Sequence, residues 1–187
     1  MKPWLLNILA CPVDKHHPLD AYFFTLETPE EDLKRIASVV GKPDAGLSQK
    51  YRQLAKQIID GTISPQSLKA IKDETGSANS SDLRSKALEA LERLEGAKGL
   101  SFDRLLSELP GDIDALYRYL NLIEVREGLL VCGRCGRWYP VGNNVETIPE
   151  LMPDDLRERD KELEWMRRWA AKIPEKTLRK GEPFSLG

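Results

Sequence analysis

The stretch EGLLVCGRCGRWYPVGNNVETIPELMP at residues 127–153 decides how this chain folds. It holds Cys132 and Cys135, two residues apart, between an apolar run and an aromatic one. Such a pair is either half of a zinc site or a redox couple. A redox couple sits at the start of a helix, whose dipole lowers the thiol pKa, but the strand-like run RWYPV follows here. We therefore favour zinc, because a tight turn with two cysteines places both sulfurs on one edge of a tetrahedron.

The other half of this zinc site is expected in the N-terminal region. Cys11 is the only other cysteine, and the turn after it offers Asp14, His16 and His17 as a fourth ligand. We prefer His16, because imidazole is a good zinc ligand. The predicted metal site is therefore Cys11, His16, Cys132 and Cys135. The alternative is that both histidines are solvated, which leaves three thiolates or no metal. A structural zinc site contributes about 10–16 kcal/mol, which exceeds the ~5 kcal/mol cost of closing the loop between the two turns.

The chain alternates between β-like and helical regions. Residues 1–27 and 122–152 carry the β-like segments, and residues 153–187 form a C-terminal helix and tail. The strand LDAYFFTL at residues 19–26 has apolar side chains on both faces, so we expect it to be covered on both sides. Glu127 and Gly128 indicate a turn between two short strands.

The helical block at residues 28–121 is an insertion between the two β-like regions. It is predicted to contain six helices, because apolar side chains recur at helical intervals and Thr-Pro and Ser-Pro pairs mark helix starts. One of these helices covers SPQSLKAIKDETG at residues 64–76. The predicted class is α+β, with a β-domain built from both chain ends, a large helical insertion and a C-terminal helix. We expect the insertion to be a separate lobe, without which the β-domain still folds.

Composition limits the functional classes. The 187 residues are 31% charged with a formal net charge of -2, which argues against strong binding of nucleic acid by the whole surface. No apolar run approaches ~18 residues, and Asn7 interrupts the apolar start, so we expect a cytoplasmic protein. The sequence has no Gly-rich phosphate loop and no Ser-His-Asp set. A metal with four protein ligands has no open position for a substrate, so we expect no catalytic residues.

Two separated motifs carry a resemblance to a known family. The segments LLNILACPVDKHHPL and EGLLVCGRCGRWYPV, the latter continuing to IPELMP, resemble the methyltransferase activator subunits, and DIDALYRYLNLIEVREG is similar to the last insertion helix of that family. The match covers about residues 1–26 and 112–157. The sequence departs from the family in two places. Asp14 or His16 stands where many metal-binding members have a second N-terminal cysteine, and the loop VGNNVETIPELM is longer than the usual Gly-Ile-Pro.

The resemblance implies a function. Members of the family activate S-adenosylmethionine-dependent methyltransferases that act on tRNA, rRNA and a peptide release factor, through a zinc-ribbon-like β-domain made from both chain ends. It therefore implies a non-catalytic subunit of a heterodimer involved in translation, with structural zinc. No S-adenosylmethionine site is visible in this sequence, so that cofactor would belong to the partner, and tRNA would be reached through the complex.

The apolar residues after the cysteine pair are candidates for the partner interface. They are too many for the core of a small β-domain, although each one alone is as well explained by the core. The predicted interface is Trp138, Tyr139, Val141, Ile148, Leu151 and Met152. A partner could also extend the sheet through an exposed strand edge.

The alternative function is a zinc-ribbon RNA-binding module. Arg134 and Arg137 lie beside the aromatic pair Trp138 and Tyr139, which is a basic and aromatic mixture typical of such modules. The region from Arg167 to Lys180 is also basic, although a helix end that complements its dipole explains part of that charge.

Overall fold

The computed structural model describes residues 1–97 and 99–187. The described residues form eight α-helices, four strands and three short 3-10 helices. The 3-10 helices are Pro3–Asn7, Ala45–Leu47 and Asp154–Leu156. The strands are β1 (Asp20–Leu26), β2 (Ile71–Asp73), β3 (Val125–Val131) and β4 (Trp138–Val141). The helices are α1 (Glu30–Val39), α2 (Ser48–Ile59), α3 (Pro65–Lys69), α4 (Ala78–Gly96), α5 (Phe102–Glu108), α6 (Pro110–Leu122), α7 (Arg159–Arg168) and α8 (Glu175–Lys180). No helix among them is both long and apolar enough to span a bilayer.

The four strands form one mixed sheet in the order β2-β1-β3-β4. The pairs β1–β3 and β3–β4 are antiparallel, whereas β2 runs parallel to β1. The predicted turn at Glu127 and Gly128 is wrong, because both residues lie inside β3. Gly128 is needed there for close packing, since a Cβ at this position would lie 2.6 Å from the Tyr22 carbonyl oxygen.

Both faces of the sheet are covered, as the sequence of β1 predicts. Ala21 and Phe23 of β1 pack with the helices of the insertion, together with Leu130 and Tyr139 of the neighbouring strands. Strand residues whose side chains lie on the other face of the sheet form a second cluster with the C-terminal segment, which comprises residues 153–187. The main members of this second cluster are Phe24, Leu129, Trp138, Leu163, Trp165, Met166 and Ile173. The molecule therefore has three layers: the insertion, the sheet and the C-terminal segment.

The insertion is more closely integrated than its sequence predicts. The helix expected at residues 64–76 ends at Lys69, and Ile71–Asp73 instead becomes β2, paired with Ala21–Phe23. Leu33, Leu54 and Leu91 of the insertion belong to the same core cluster as Phe23 of β1. Residues 28–121 thus supply one strand of the sheet and cover one of its faces.

The outer edge of β4 is occupied by the chain itself. The Trp138 amide donates to the Glu182 carbonyl at 3.1 Å, and the Glu182 amide donates to the Gly136 carbonyl at 3.1 Å. Further along, the Glu150 amide donates to the Pro140 carbonyl at 2.9 Å. The suggestion that a partner extends the sheet at this edge therefore does not fit the chain in this conformation.

Candidate metal centre and partner surface

Two tight turns bring the candidate ligands together. In the first turn, the Lys15 amide donates to the Cys11 carbonyl at 2.9 Å, and the Cys11 amide donates to the His16 carbonyl at 2.9 Å. In the second turn, the Gly136 amide donates to the Cys132 carbonyl at 2.9 Å. Lys15 and Gly136 both have a positive φ, of 58° and 75°, a conformation that costs Gly little. The strands β1 and β3 that flank these turns are paired, so the turns lie side by side.

Four possible donor atoms lie close enough together to hold one metal ion. Cys11, Asp14, Cys132 and Cys135 each offer one ligand atom, and these atoms all lie within 4.8 Å of one another. The sulfurs of Cys11 and Cys135 are 3.7 Å apart, and the Cys132 sulfur is 3.5 Å from Oδ1 of Asp14. Two sulfurs bound tetrahedrally at about 2.3 Å lie about 3.8 Å apart, and a sulfur and a carboxylate oxygen about 3.5 Å. These two distances therefore fit one ion with tetrahedral coordination by four protein ligands.

His16 is not a member of this group, so the structure favours a different fourth ligand from the one that the sequence analysis prefers. The backbone amide of His16 donates to Oδ1 of Asp14 at 3.0 Å and thereby orients that carboxylate. His17 faces elsewhere, with its Nε2 atom 3.2 Å from the Leu6 carbonyl oxygen. The sequence could not distinguish these candidates, because Asp14, His16 and His17 all follow Cys11 within six residues.

Two of the candidate thiol ligands, Cys132 and Cys11, have pKa values shifted in opposite directions. Burial raises the pKa of the Cys132 thiol to about 12, so this thiol is protonated at neutral pH without an ion. Burial also acts to raise the pKa of Cys11, but the Tyr139 hydroxyl, 3.3 Å from its sulfur, and nearby backbone amides bring the pKa below its usual value. Zinc binds thiolates, so binding would displace the Cys132 proton.

The arginines of the second turn are also accounted for. Arg137 forms an ion pair with Asp154, with Nη2 and Nε donating to Oδ2 at 2.8 and 3.0 Å. Arg134 is exposed and donates to the Asp14 carbonyl at 3.4 Å. Trp138 and Tyr139 are fully buried, so they offer no face on which a base could stack. The basic and aromatic residues that suggested an RNA-binding module therefore make most of their contacts within the chain.

The six residues predicted as a partner interface divide into two groups. Trp138, Tyr139 and Val141 are buried in the two core clusters, so they are core residues in this structure and not a free surface. Ile148 and Met152 are exposed at 49% and 37%. Leu151 is half-buried and packs against the larger core cluster.

Two further exposed apolar residues lie on the same loop as Ile148 and Met152. Val145 is 56% exposed and Leu156 is 60% exposed. Sequence analysis did not identify Leu156 as exposed, because Leu156 fits the apolar stripe of a helix expected from residue 153. That helix begins only at Arg159, and Leu156 lies in a 3-10 turn that leaves it in solvent. We call Val145, Ile148, Met152 and Leu156 the apolar loop surface.

Comparison with protein families gives one match. The family model described as Trm112p-like protein matches residues 2–144. A search of curated proteins and a search of solved structures each gave no match. The matched range contains all four candidate metal ligands and ends inside the loop that follows β4, so the C-terminal segment lies outside it.

Proposed function

This chain belongs to the Trm112p-like family of methyltransferase activator subunits, and from that premise we propose that it binds and activates an S-adenosylmethionine-dependent methyltransferase acting on tRNA. Activity of the same complex, or of a second one, on rRNA or a release factor is part of this proposal. The chain itself would be the non-catalytic partner of a heterodimer, and the methyltransferase would hold S-adenosylmethionine.

The observation that carries this proposal is the apolar loop surface. Its four side chains are at least 37% exposed, although burial of each would stabilise the protein by about 1.5–3 kcal/mol. Exposed apolar side chains that are grouped on one loop, as these are, often mark protein interaction sites. The family match makes a methyltransferase the partner that this surface would cover.

The loop is held in place before any partner binds. The Gly142 amide donates to the Ile148 carbonyl at 3.0 Å. Two donors of Asn144 contact the Glu150 carboxylate at 2.6 and 2.7 Å. The Arg137–Asp154 pair fixes the far end of the loop. A surface that is already ordered loses little conformational entropy on binding, which favours affinity.

The metal would have a structural part in this function. Zinc held by Cys11, Asp14, Cys132 and Cys135 would link the N-terminal turn to the turn between β3 and β4. It would supply no catalysis, because four protein ligands leave no open position. Arg137 connects this centre to the apolar loop surface, because it follows the second turn directly and binds Asp154.

The proposal is tested by charge substitutions on the apolar loop surface. Ile148→Asp and Met152→Asp should each weaken binding to the copurifying methyltransferase by at least tenfold, because a charge replaces a buried anchor. Ile59→Asp is the matched control, since Ile59 is 41% exposed on α2 in the insertion. Affinity is measured by calorimetry with purified proteins, after circular dichroism has established that each variant is folded.

Two results would contradict the proposal. One is unchanged affinity of both loop variants, which would show that the apolar loop surface is not the partner interface. The other is methyl transfer from S-adenosylmethionine to tRNA by this chain alone, which would show that the chain is not a non-catalytic activator. Assays of the reconstituted pair on tRNA, rRNA and release factor separate the three substrates.

A further inference from the structure

A basic cleft lies on the side of the insertion formed by the N-terminal 3-10 helix, α2 and α6. It has a volume of about 610 Å3. Three ammonium groups line it, together with two aromatic rings and three side-chain amides, and none of the described residues that line it has a carboxylate. The lining residues that matter are Lys2, Lys50 and Lys56, with Trp4, Tyr117, Gln53, Gln57 and Asn121. A cleft with this lining is a place for an anion.

The lysines of the cleft are free of the ion pairs that are common elsewhere in the insertion. Lys69 pairs with Glu92 at 2.8 Å, and Lys86 pairs with Asp82 at 2.8 Å. Within the described residues, no carboxylate forms an ion pair with Lys2, Lys50 or Lys56. Helix α2 carries Lys50, Arg52 and Lys56 and no acidic residue. In a chain with a net charge of -2, α2 carries a local excess of positive charge even when its C-cap Asp60 is counted, and such an excess attracts polyanions.

The neutral groups of the cleft are fixed beside these cations. The indole Nε1 of Trp4 donates to Oε1 of Gln57 at 3.0 Å, which holds the ring against α2. Arg52 and Lys56 lie over the Phe102 ring at 5.7 and 6.0 Å, so the positive strip continues along α2 beyond the cleft. Because a helix rises 1.5 Å per residue, the backbone positions of Lys50 and Lys56 are about 9 Å apart along α2. Cations spread along the helix in this way suit a ligand with several anionic groups better than one small anion.

We propose that this cleft binds the sugar–phosphate backbone of RNA and thereby helps to hold the substrate of the complex. The proposal rests on the proposed function, in that the RNA is the substrate of the partner methyltransferase. Lysines contact phosphates, while amides and aromatic rings contact riboses and bases. An acidic peptide would leave the rings and amides without such partners. A bilayer is flat, so it would not enter a cleft.

The test is RNA binding by the purified full chain without any methyltransferase. A fluorescently labelled, unmodified tRNA transcript is titrated at several salt concentrations. The variant Lys50→Glu with Lys56→Glu should weaken binding at least tenfold at low salt. It should also reduce the slope of log affinity against log salt by about 1.4–1.8, since each lost cation–phosphate contact removes about 0.7 for a single strand and about 0.9 for a duplex, and a tRNA contains both. The matched control is Lys34→Glu with Lys42→Glu, which makes the same charge change at exposed sites on or after α1, and it should change affinity less than twofold.

Three outcomes would contradict the proposal that the cleft binds RNA. The first is an equal loss of RNA affinity in both double variants, and the second is no loss of RNA affinity in either. The third is binding of the wild-type chain to anionic phospholipid vesicles or to polyglutamate but not to the transcript. The partner affinity of the same variants is measured in parallel. A cleft variant that loses RNA but retains the methyltransferase supports the cleft. Wild-type protein that binds RNA at the cleft without binding any methyltransferase supports the cleft and rejects the proposed function.

Discussion

Asp14 is the one carboxylate in the candidate metal centre, beside three cysteines. Its carboxylate accepts a hydrogen bond from the His16 amide and lies beside three sulfurs. Burial acts to raise the pKa of Asp14, but this amide and the neighbouring thiols lower it overall, so the carboxylate is charged and can bind a cation. A carboxylate is a weaker zinc ligand than a thiolate but fits the same tetrahedral position.

The two candidate fourth ligands can be separated by substitution. Asp14→Ala should lower zinc affinity at least tenfold, because it removes a ligand from the tetrahedron. His16→Ala should leave affinity nearly unchanged, because His16 acts through its backbone amide, which alanine keeps. Metal content by elemental analysis and competition with a coloured chelator measure both effects. The reverse pattern, with loss only in His16→Ala, would restore the imidazole as the ligand.

Arg157 links the C-terminal segment to the sheet through a buried cation. Its guanidinium carbon lies 4.7 Å from the centre of the Trp138 ring and 5.5 Å from the centres of the Tyr139 and Phe184 rings. Its Nε donates to both carboxylate oxygens of Glu162, at 2.9 and 3.1 Å. An arginine with a buried carboxylate and stacked rings gains from its planar, delocalised charge.

Removing one member of this buried pair should be costly. Arg157→Ala should lower the free energy of unfolding by about 3–5 kcal/mol, because it leaves Glu162 buried without its partner. The double variant Arg157→Leu with Glu162→Leu should recover most of that loss, because it buries no charge. Urea unfolding measures both. A double variant that is less stable than Arg157→Ala would show that ring contacts, and not charge burial, dominate.

At the scale of elements, α2 and α6 are joined by a buried polar contact. The Tyr51 hydroxyl on α2 donates to the Asp114 carboxylate on α6 at 2.6 Å, and Arg118, also on α6, donates to that carboxylate at 2.7 Å. Burial, followed by the contact with Asp114, raises the pKa of Tyr51 to about 12, whereas the ordinary value is about 10. Asp114 also accepts from the Gly41 amide at 2.8 Å, which ties the end of α1 to the same point.

This contact predicts a loss of stability in alkaline solution. The raised pKa means that the folded protein keeps the Tyr51 proton longer than the unfolded chain does. The corresponding stability is therefore complete below pH 10 and is lost as pH rises from about 10 to about 12. Tyr51→Phe should be less stable at pH 8, because Asp114 loses a donor, but its stability should fall less steeply above pH 10. Urea midpoints at pH 8, 10 and 11 measure this, and equal slopes for the two proteins would contradict it.

Some elements follow from the sequence and others need the whole fold. The two apolar faces of β1 predict its burial on both sides, and the cysteine spacing predicts that the chain ends meet. The strand Ile71–Asp73 was missed because its local sequence favours a helix, and only pairing with Ala21–Phe23 makes it extended. The late start of α7 also involves a tertiary contact, since Arg157 has an extended backbone and its guanidinium lies over the Trp138 ring.

At the scale of the molecule, the sheet depends on both of its covering layers. The C-terminal segment lies outside the family match, yet Trp165 stacks on Trp138 with ring centres 6.1 Å apart and planes at 8°. Gly181 fits closely against the sheet, since a Cβ there would lie 2.8 Å from a Trp138 ring atom. The face buried by this segment is therefore unavailable to a partner in this conformation, and the proposed partner contact is instead on the apolar loop surface.

The insertion covers the other face, so we expect that the β-domain does not fold without it. Replacing residues 28–121 by a short Gly-Ser linker would remove β2 and uncover Phe23, Leu130, Tyr139 and Val141. At about 1.5–3 kcal/mol for each large side chain, this loss is comparable with the whole free energy of folding of a domain, about 5–15 kcal/mol. Amide dispersion in NMR spectra of the shortened chain with zinc measures the outcome. A dispersed β-sheet spectrum would show that metal and the C-terminal segment suffice, and that the insertion is a separable lobe after all.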